Sequence, residues 1–499
     1  MPVALLHQVV DGAPPDDIAL VHGDRVLRFG ELAARVARTA SFAAQIAGPG
    51  EGIAIIGDNH PVWVECQYGI PAAGRVAVFL NHRLAPPELA SILARSRARA
   101  VIGSGAELAR LPPGIPSWSF EAWSDLVPDA APVPPPPDPA APAWLIFTSG
   151  TTAQPKGAVL THASILAAVG VTAAARPAAP DDVYLFPFPL CHIAAYNVVH
   201  LHSRGRPVIL LDRFDAGRFA EATARHRVTT TSLAATMLAS LLDLADADAG
   251  AKAALGPLNT VAYGAAPMPL PVLRRAHDLL NVDLAQGYGM TELSGNAVFL
   301  DAAAHRRGLT NREDTWLLGA AGKPGPGVAV RTVDDDDRDA PVGEIVVKAA
   351  QVMAGYWDSP TAIRDGWLHT GDIGRFDDEG WLYVVDRKKD VIVSGGENVS
   401  SLEVEAVLHG LAGVREAAVV GVPDPTWGEN VCAVIAPLPG ATVDPRDIIS
   451  GVRRQLAGFK SPRHVVIVDE LPKNGAGKVV KADLRIWLAA HPEVLGQRA

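Results

Sequence analysis

A short apolar run, Trp144-Leu145-Ile146-Phe147, leads straight into Thr148-Ser149-Gly150-Thr151-Thr152-Ala153-Gln154-Pro155-Lys156-Gly157. This junction limits what the chain can fold into more than any other stretch. An apolar run of that length, stopped by turn residues, predicts a buried strand. The loop after it combines glycines, which let backbone approach a ligand closely, with hydroxyls that donate to oxyanions. Lys156 adds a mobile positive charge. Such a loop suits nucleotide phosphates. It is not a G-x-x-x-x-G-K-[ST] loop, because Pro155 precedes the lysine and Gly157 follows it, and this argues against a P-loop NTPase.

The surrounding pattern predicts repeated βα units, hence parallel sheets covered by helices. Gly52–Gly57, Val101–Gly103 and Pro207–Leu211 read as strands. Pro86-Pro87-Glu88 opens a helix with Leu89, Ile92 and Leu93 on one face. Asp215 caps a helix bearing Phe219. The proline-rich stretch Ala131–Pro137 reads as an extended connector. From about 316 to 386 short strands and turns predict a β-rich subdomain. After Arg387 a compact α+β unit is expected, with Ser400 and Glu403 forming a capping box and Gly410 as the helix stop. Its strands should lie near 417–422, 431–438 and 464–469, and its second helix near 446–456. The expected organisation is α/β: a large N-terminal domain over 1–388, made of helix-covered βα sheets with a β-rich subdomain, and a small, mobile α+β C-terminal domain over 389–499.

The loop at 148–157 resembles the phosphate loop of the adenylate-forming superfamily, which includes acyl-CoA synthetases, luciferases and peptide-synthetase adenylation domains. The resemblance recurs at Tyr263-Gly264-Ala265-Ala266-Pro267, Gln286-Gly287-Tyr288-Gly289-Met290-Thr291-Glu292 and His369-Thr370-Gly371-Asp372. It continues at Asp386-Arg387-Lys388-Lys389-Asp390, Ser394-Gly395-Gly396-Glu397-Asn398 and Pro472-Lys473-Asn474-Gly475-Ala476-Gly477-Lys478. Glycine turns and surface lysines account for any one of these segments, but not for the ordered set. Ala153 stands where the family's loop usually has glycine, and Ser400-Ser401 replaces a commoner aromatic–proline pair; neither change removes a charge.

The resemblance implies two half-reactions. A carboxylic acid attacks the α-phosphorus of ATP to give acyl-AMP and pyrophosphate, and the CoA thiol then displaces AMP. Bringing two anions together requires compensating positive charge. The resemblance assigns catalysis to Lys478, Glu292, Thr291 and His192. Lys478 bridges the acyl carboxylate and α-phosphate, and His192 positions the substrate without acting as a general base. Mg²⁺ falls to Glu292 with Thr148. ATP or AMP contacts fall to Thr148, Ser149, Gly150, Thr151, Thr152 and Lys156 around the phosphates. Gly264, Ala265, Ala266, Gln286, Gly287 and Tyr288 lie around adenine, Thr291 and Lys478 at the α-phosphate, and Asp372 and Arg387 at the ribose. Lys389 is the implied hinge, and Ser394, Gly395, Gly396 and Glu397 line a CoA tunnel.

The acyl pocket is expected from His192, Tyr196, Asn197, Met237, Gly264 and Gly289, with Tyr196 as an aromatic gate and Gly289 leaving room beside the acyl chain. These residues are mostly small or apolar, and no charge obviously awaits a second carboxylate. The expected acid is therefore a medium-to-long fatty acid, with an aryl acid second and a dicarboxylate disfavoured. Other readings are an acyl-AMP ligase loading a carrier protein, a luciferase-like oxidation, and a non-catalytic nucleotide sensor. A net charge of −10 argues against nucleic acid as a partner. Cys66, Cys191 and Cys432 are far apart, so neither a disulfide framework nor a zinc site is expected, and a cytoplasmic location fits. The start lacks a signal-peptide pattern, and no run approaches the ~20 apolar residues of a membrane span. Peripheral membrane contact and homodimer formation stay open.

Overall fold

The computed structural model describes residues 3–123, 137–148, 155–264, 268–394, 397–473 and 478–496. Most of the expected proline-rich connector and the tip of the phosphate loop, including Ala153, lie outside them. Two compact units emerge: Met1–Pro267 with Arg274–Val330 and Val347–His369, and Met268–Leu273 with Arg331–Val346 and Thr370–Ala499.

The first unit is α/β, with two mixed sheets. In the nine-stranded sheet, Ile18–His22, Val208–Leu210, Tyr184–Phe186, Thr230–Leu233, Thr260–Gly264 and Asp283–Met290 run parallel in that spatial order. Antiparallel strands close its edges. In the seven-stranded sheet, Ser117–Ser119, Ala98–Gly103, Gly52–Ile56, Val76–Leu80 and Pro142–Thr148 are parallel, followed by antiparallel Lys156–Thr161 and Gly355–Tyr356. Gly52–Ile56 and Val76–Leu80 are buried at every position, as expected of central parallel strands covered on both faces. The helix Pro86–Ser96 buries Leu89, Ile92 and Leu93. Asp215 caps Ala216–His226 by accepting from Arg218 N at 2.9 Å. Among the described residues no helix is long and apolar enough to cross a membrane.

The second unit shows how a period of two builds a two-faced sheet. Val414–Asp424 and Gly428–Pro437 pair antiparallel, and His464–Ile467 joins parallel to the latter. Both hairpin strands are longer than the sequence pattern marks. One face carries Val419, Val431, Ala433 and Ile435 beneath the helices Ser401–Leu408 and Pro445–Arg453. The other carries Val420, Val422, Cys432 and Val434 against Leu484 and Leu488 of the helix Lys481–Ala490.

The expected capping box is only half formed. Ser400 Oγ accepts from Glu403 N at 3.2 Å, but the Glu403 carboxylate turns to Lys460 at 2.7 Å. An available ammonium outcompetes the helix's own N–H for that carboxylate. The Ser400-Ser401 pair has a structural role of its own. Ser400 Oγ donates to Val385 O, while Ser401 N and Oγ both donate to Asp386 Oδ2. Lys481 then bonds Ser401 Oγ and pairs with the largely buried Glu405 at 2.7 Å.

Candidate active site

Strand register builds the first cluster. Pro142–Thr148 and Lys156–Thr161 form a hairpin with Thr148 opposite Lys156. Tyr356 then pairs beside Ala158 on the next strand. From the other sheet, Asp283–Met290 ends in a one-turn 3-10 segment, Thr291–Leu293, before the chain reverses through Ser294 at φ +54°. This turn carries Glu292. Met353 N holds the Glu292 carbonyl at 2.9 Å.

Glu292 is 6% exposed. Its Oε1 accepts from Tyr356 Oη at 2.9 Å and from Thr148 Oγ1 at 3.2 Å. Both donors are neutral, and among the described residues no basic group reaches ion-pair distance. Burial, then the Glu292 charge, pushes the Tyr356 phenol up, so it stays protonated as a donor. Lys156 Nζ lies 5.2 Å from the Tyr356 ring centroid, which places a cation near the cluster without neutralising the carboxylate. Two further ties fix the hairpin: Arg95 forks onto Asp358 at 2.6 and 2.8 Å, and donates to Pro155 O at 2.7 Å. The sequence reading brought Thr148 and Glu292 together but missed Tyr356, which no local pattern marks.

In the second unit Asp372 and Arg387 face each other across paired strands, with Oδ1 to Nε at 3.0 Å. Gly371 adopts φ +74°, and Thr370 Oγ1 accepts from Asp372 N at 3.1 Å while donating to Ile345 O at 2.7 Å. The turn therefore fixes the Asp372 backbone. Lys478 stands in the field of Arg387, Asp372, Asp390 and Lys481. Desolvation first, then the Arg387 guanidinium, pulls its ammonium down to about 8, with Asp372 opposing. The Lys478 side chain is exposed, and surrounding water works against such a shift. Lys389 is exposed in the turn after Arg387, and the Asp390 and Val391 amides, not its own, bond back to Arg387 O. This turn lies inside the second unit. Ser394 is buried and pairs with exposed Glu397. Gly395, Gly396, Ser149, Gly150, Thr151, Thr152, Ala265 and Ala266 lie outside the described residues.

Gln286, Gly287, Tyr288 and Gly289 sit on the strand Asp283–Met290. Gly264 lies opposite Gly287, and a Cβ at 264 would come within 2.4 Å of the Gly287 carbonyl oxygen. At Gly289 a Cβ would meet the Gly295 carbonyl oxygen at 2.1 Å. The space expected beside Gly289 is therefore taken by neighbouring backbone, and glycine is there because two strands approach closely. Tyr196 is 2% exposed, its hydroxyl accepts from Thr172 Oγ1 at 3.3 Å, and its ring lies where a Gly295 side chain would project. Burial and this contact hold the ring in place. Asn197 Nδ2 donates to Ala194 O and its Oδ1 accepts from Arg176. Met237 is half-buried. His192 precedes a 3-10 turn with its Nε2 buried and unpartnered. Desolvation, followed by Arg83 and His82, lowers it to about 4. A neutral imidazole whose buried nitrogen has no partner among the described residues is suited to hydrogen bonding.

A family model for AMP-binding enzymes matches residues 6–357, and one for the AMP-binding enzyme C-terminal domain matches residues 403–478. A feruloyl-CoA synthase of Amycolatopsis sp is 37% identical over 489 residues, covering 94% of this chain and 96% of that one. The long-chain-fatty-acid–CoA ligase FadD13 of Mycobacterium tuberculosis is 33% identical over 463 residues, covering 87% and 88%. The o-succinylbenzoate CoA synthetase of Bacillus subtilis, solved in complex with its acyl-adenylate intermediate, matches with a TM-score of 0.84 at 29% identity, covering 96% and 97%. That enzyme has also been solved with ATP and a magnesium ion.

Proposed function

Because the chain belongs to the family of AMP-binding enzymes, we propose that it is an AMP-forming acid–thiol ligase, which activates a carboxylic acid with ATP and passes the acyl group to CoA. The observation that carries this reading is Glu292: a buried carboxylate held by two neutral hydroxyls, with no cation at ion-pair distance among the described residues. Burying an uncompensated charge is costly, and a site that tolerates it suits a cation brought by a ligand. Magnesium favours hard oxygen ligands, few of them from protein, with the remainder from phosphates and water. Glu292 with Thr148 fits that set. When bound there, the ion would offset charge on the leaving phosphates.

In the first half-reaction an acid oxygen bonds to the α-phosphorus while the bond to the bridging oxygen of pyrophosphate breaks. Thr291 donates to the α-phosphate, and Lys478 supplies the positive charge between the two reacting anions. Asp372 accepts from the ribose hydroxyls, with Arg387 oriented beside it. Tyr288 stacks near adenine, and Lys156 serves the β- and γ-phosphates. His192, neutral, donates to the acid. In the second half-reaction the CoA sulfur bonds to the acyl carbon, AMP leaves, and the thiol proton passes to solvent. Lys389 is the proposed hinge at which the small C-terminal domain, 389–499, changes orientation between steps, bringing the Ser394–Glu397 segment to CoA.

For the acid, a compact aryl acid now ranks ahead of a medium-to-long fatty acid. Backbone fills the space expected at Gly289, and Tyr196 is fixed in place. The likeness to a long-chain-fatty-acid–CoA ligase keeps the fatty-acid reading in play. AMP release over a panel of both acid classes, with CoA present and absent, tests the assignment. An enzyme that releases AMP only with a carrier protein would replace CoA as acceptor.

A further inference from the structure

One charge beside the proposed acyl pocket has no task in the two half-reactions. Arg176 follows the helix His162–Ala175 and is half-buried. Its Nη2 donates to Asn197 Oδ1 at 3.0 Å, and its Nη1 reaches Ser232 Oγ at 3.5 Å. Both partners are neutral, and among the described residues no carboxylate lies within ion-pair distance of the guanidinium. A guanidinium offers five N–H donors, so most of its capacity is unspent.

The neighbours are polar, buried and underused. Tyr184 is 1% exposed, and its hydroxyl, beside Ser232, makes no well-formed hydrogen bond among the described residues. His200 is 1% exposed and its Nδ1 is likewise unpartnered. Tyr184, Tyr196 and His200 all feel the Arg176 charge. Desolvation foremost, then Arg176, lowers His200 to about 3, so it stays neutral and offers no counter-charge. Buried polar groups without partners are unfavourable unless a ligand or water completes them. A purely structural arginine at a helix C-terminus would satisfy itself on the last carbonyls or on a nearby acid; this one turns to a neutral amide on the segment assigned to the substrate. The sequence reading found no charge obviously awaiting a second carboxylate, and Arg176 stands beside one of the residues it assigned to the acyl pocket.

We infer that Arg176, seated on Asn197 and Ser232, is a specificity-determining residue that recognises an acceptor oxygen at the far end of the acid. The chemistry is shared by a second carboxylate and by a hydroxyl or alkoxy oxygen on an aromatic ring. The inference rests on the reading of Tyr196 and Asn197 as acyl-pocket residues.

The test measures acid-dependent AMP release by the full-length enzyme over matched acids: saturated fatty acids, an unsubstituted arylpropenoic acid, its ring-hydroxylated and ring-methoxylated forms, and a dicarboxylic acid of similar length. Wild type should favour an oxygen-bearing acid over its unsubstituted match by at least ~10-fold in kcat/KM, as a site built to bond that oxygen should. Arg176→Met should abolish this ratio while leaving the unsubstituted acids within ~3-fold of wild type. Arg176→Lys should keep part of any preference for a dicarboxylate, since a point charge survives, and lose more of that for a ring oxygen. Which arm wins identifies the oxygen. A wild type indifferent to the distal oxygen, or a Met variant that weakens every acid equally, overturns the inference while leaving the ligase reading intact. Failure of wild type with every acid overturns both. Should the Met variant not fold, the wild-type ratios and the Lys variant still decide.

Discussion

Glu292→Gln separates a cation-holding carboxylate from a merely structural one. Glutamine keeps the shape and can still accept from Tyr356 and Thr148, at 2.9 and 3.2 Å. Two hydrogen bonds weaken as the acceptor loses its charge, by about 1 kcal/mol each. Against this, the variant no longer desolvates a carboxylate, a penalty of several kcal/mol before compensation. The two effects oppose, so stability of the ligand-free enzyme should change by less than about 2 kcal/mol, a small shift in Tm for a chain of this size. The functional change should be far larger. Losing the group that fixes the cation at the leaving phosphates should slow acyl-AMP formation by roughly 10²–10³-fold, or about 3–4 kcal/mol of transition-state stabilisation. The assays are thermal melting with and without MgATP, and acid-dependent AMP release. The Tm rise that MgATP gives wild type should shrink or vanish in the variant. A variant with wild-type adenylation and a full MgATP-induced rise would refute the assignment of Glu292 as the cation ligand.

Lys478→Ala should cut acyl-AMP formation by roughly 10²-fold or more, with thioester formation from supplied acyl-AMP much less affected; equal loss in both steps would exclude the two-orientation scheme. The lysine must be protonated to act, and its pKa is lowered, so adenylation should fall with rising pH below the range in which an ordinary lysine loses its proton. Lys478→Arg, permanently charged, should lose this alkaline limb, and an unchanged limb would point to another group. Lys389→Pro should spare adenylation and impair thioester formation, because proline fixes φ near −65°; acyl-AMP accumulation on the enzyme is the readout, and unchanged turnover would place the hinge elsewhere. Lys481→Met leaves the Glu405 carboxylate, already raised by burial, without its cation. It should destabilise the second unit by about 3–5 kcal/mol, with a melting deficit partly repaired by adding Glu405→Gln, which can still accept from Val419 N; no repair would show that the lysine acts through Ser401 alone.

The sequence disclosed what depends on short-range pattern. Apolar runs marked the buried strands Gly52–Ile56 and Val208–Leu210, and the i, i+3, i+4 spacing of Leu89, Ile92 and Leu93 marked a helix face. The ordered glycine-rich segments led to the family and to pairs that the fold brings together, Thr148 with Glu292 and Asp372 with Arg387. What stayed hidden depends on registers that no local window contains. Tyr356 reaches Glu292 only because its strand pairs beside Lys156–Thr161. Arg176 looks like an ordinary helix-terminal cation until Asn197 is seen to face it. Gly289 reads as open space in a sequence, whereas strand pairing fills that space with the Gly295 backbone. Glu403 fits a capping box by spacing, but Lys460, distant in sequence, claims it.

The central claim is that this enzyme forms an acyl-adenylate before any thiol takes part. Acid-dependent exchange of labelled pyrophosphate into ATP, run without CoA, tests it most directly, because only a reversible first half-reaction returns label to the nucleotide. The account predicts exchange that requires both magnesium and an acid, is lost in Glu292→Gln and Lys478→Ala, and gives way to equal yields of AMP and acyl-CoA once CoA is added. Exchange absent with every acid while acyl-CoA still forms, or ADP appearing in place of AMP, would contradict it.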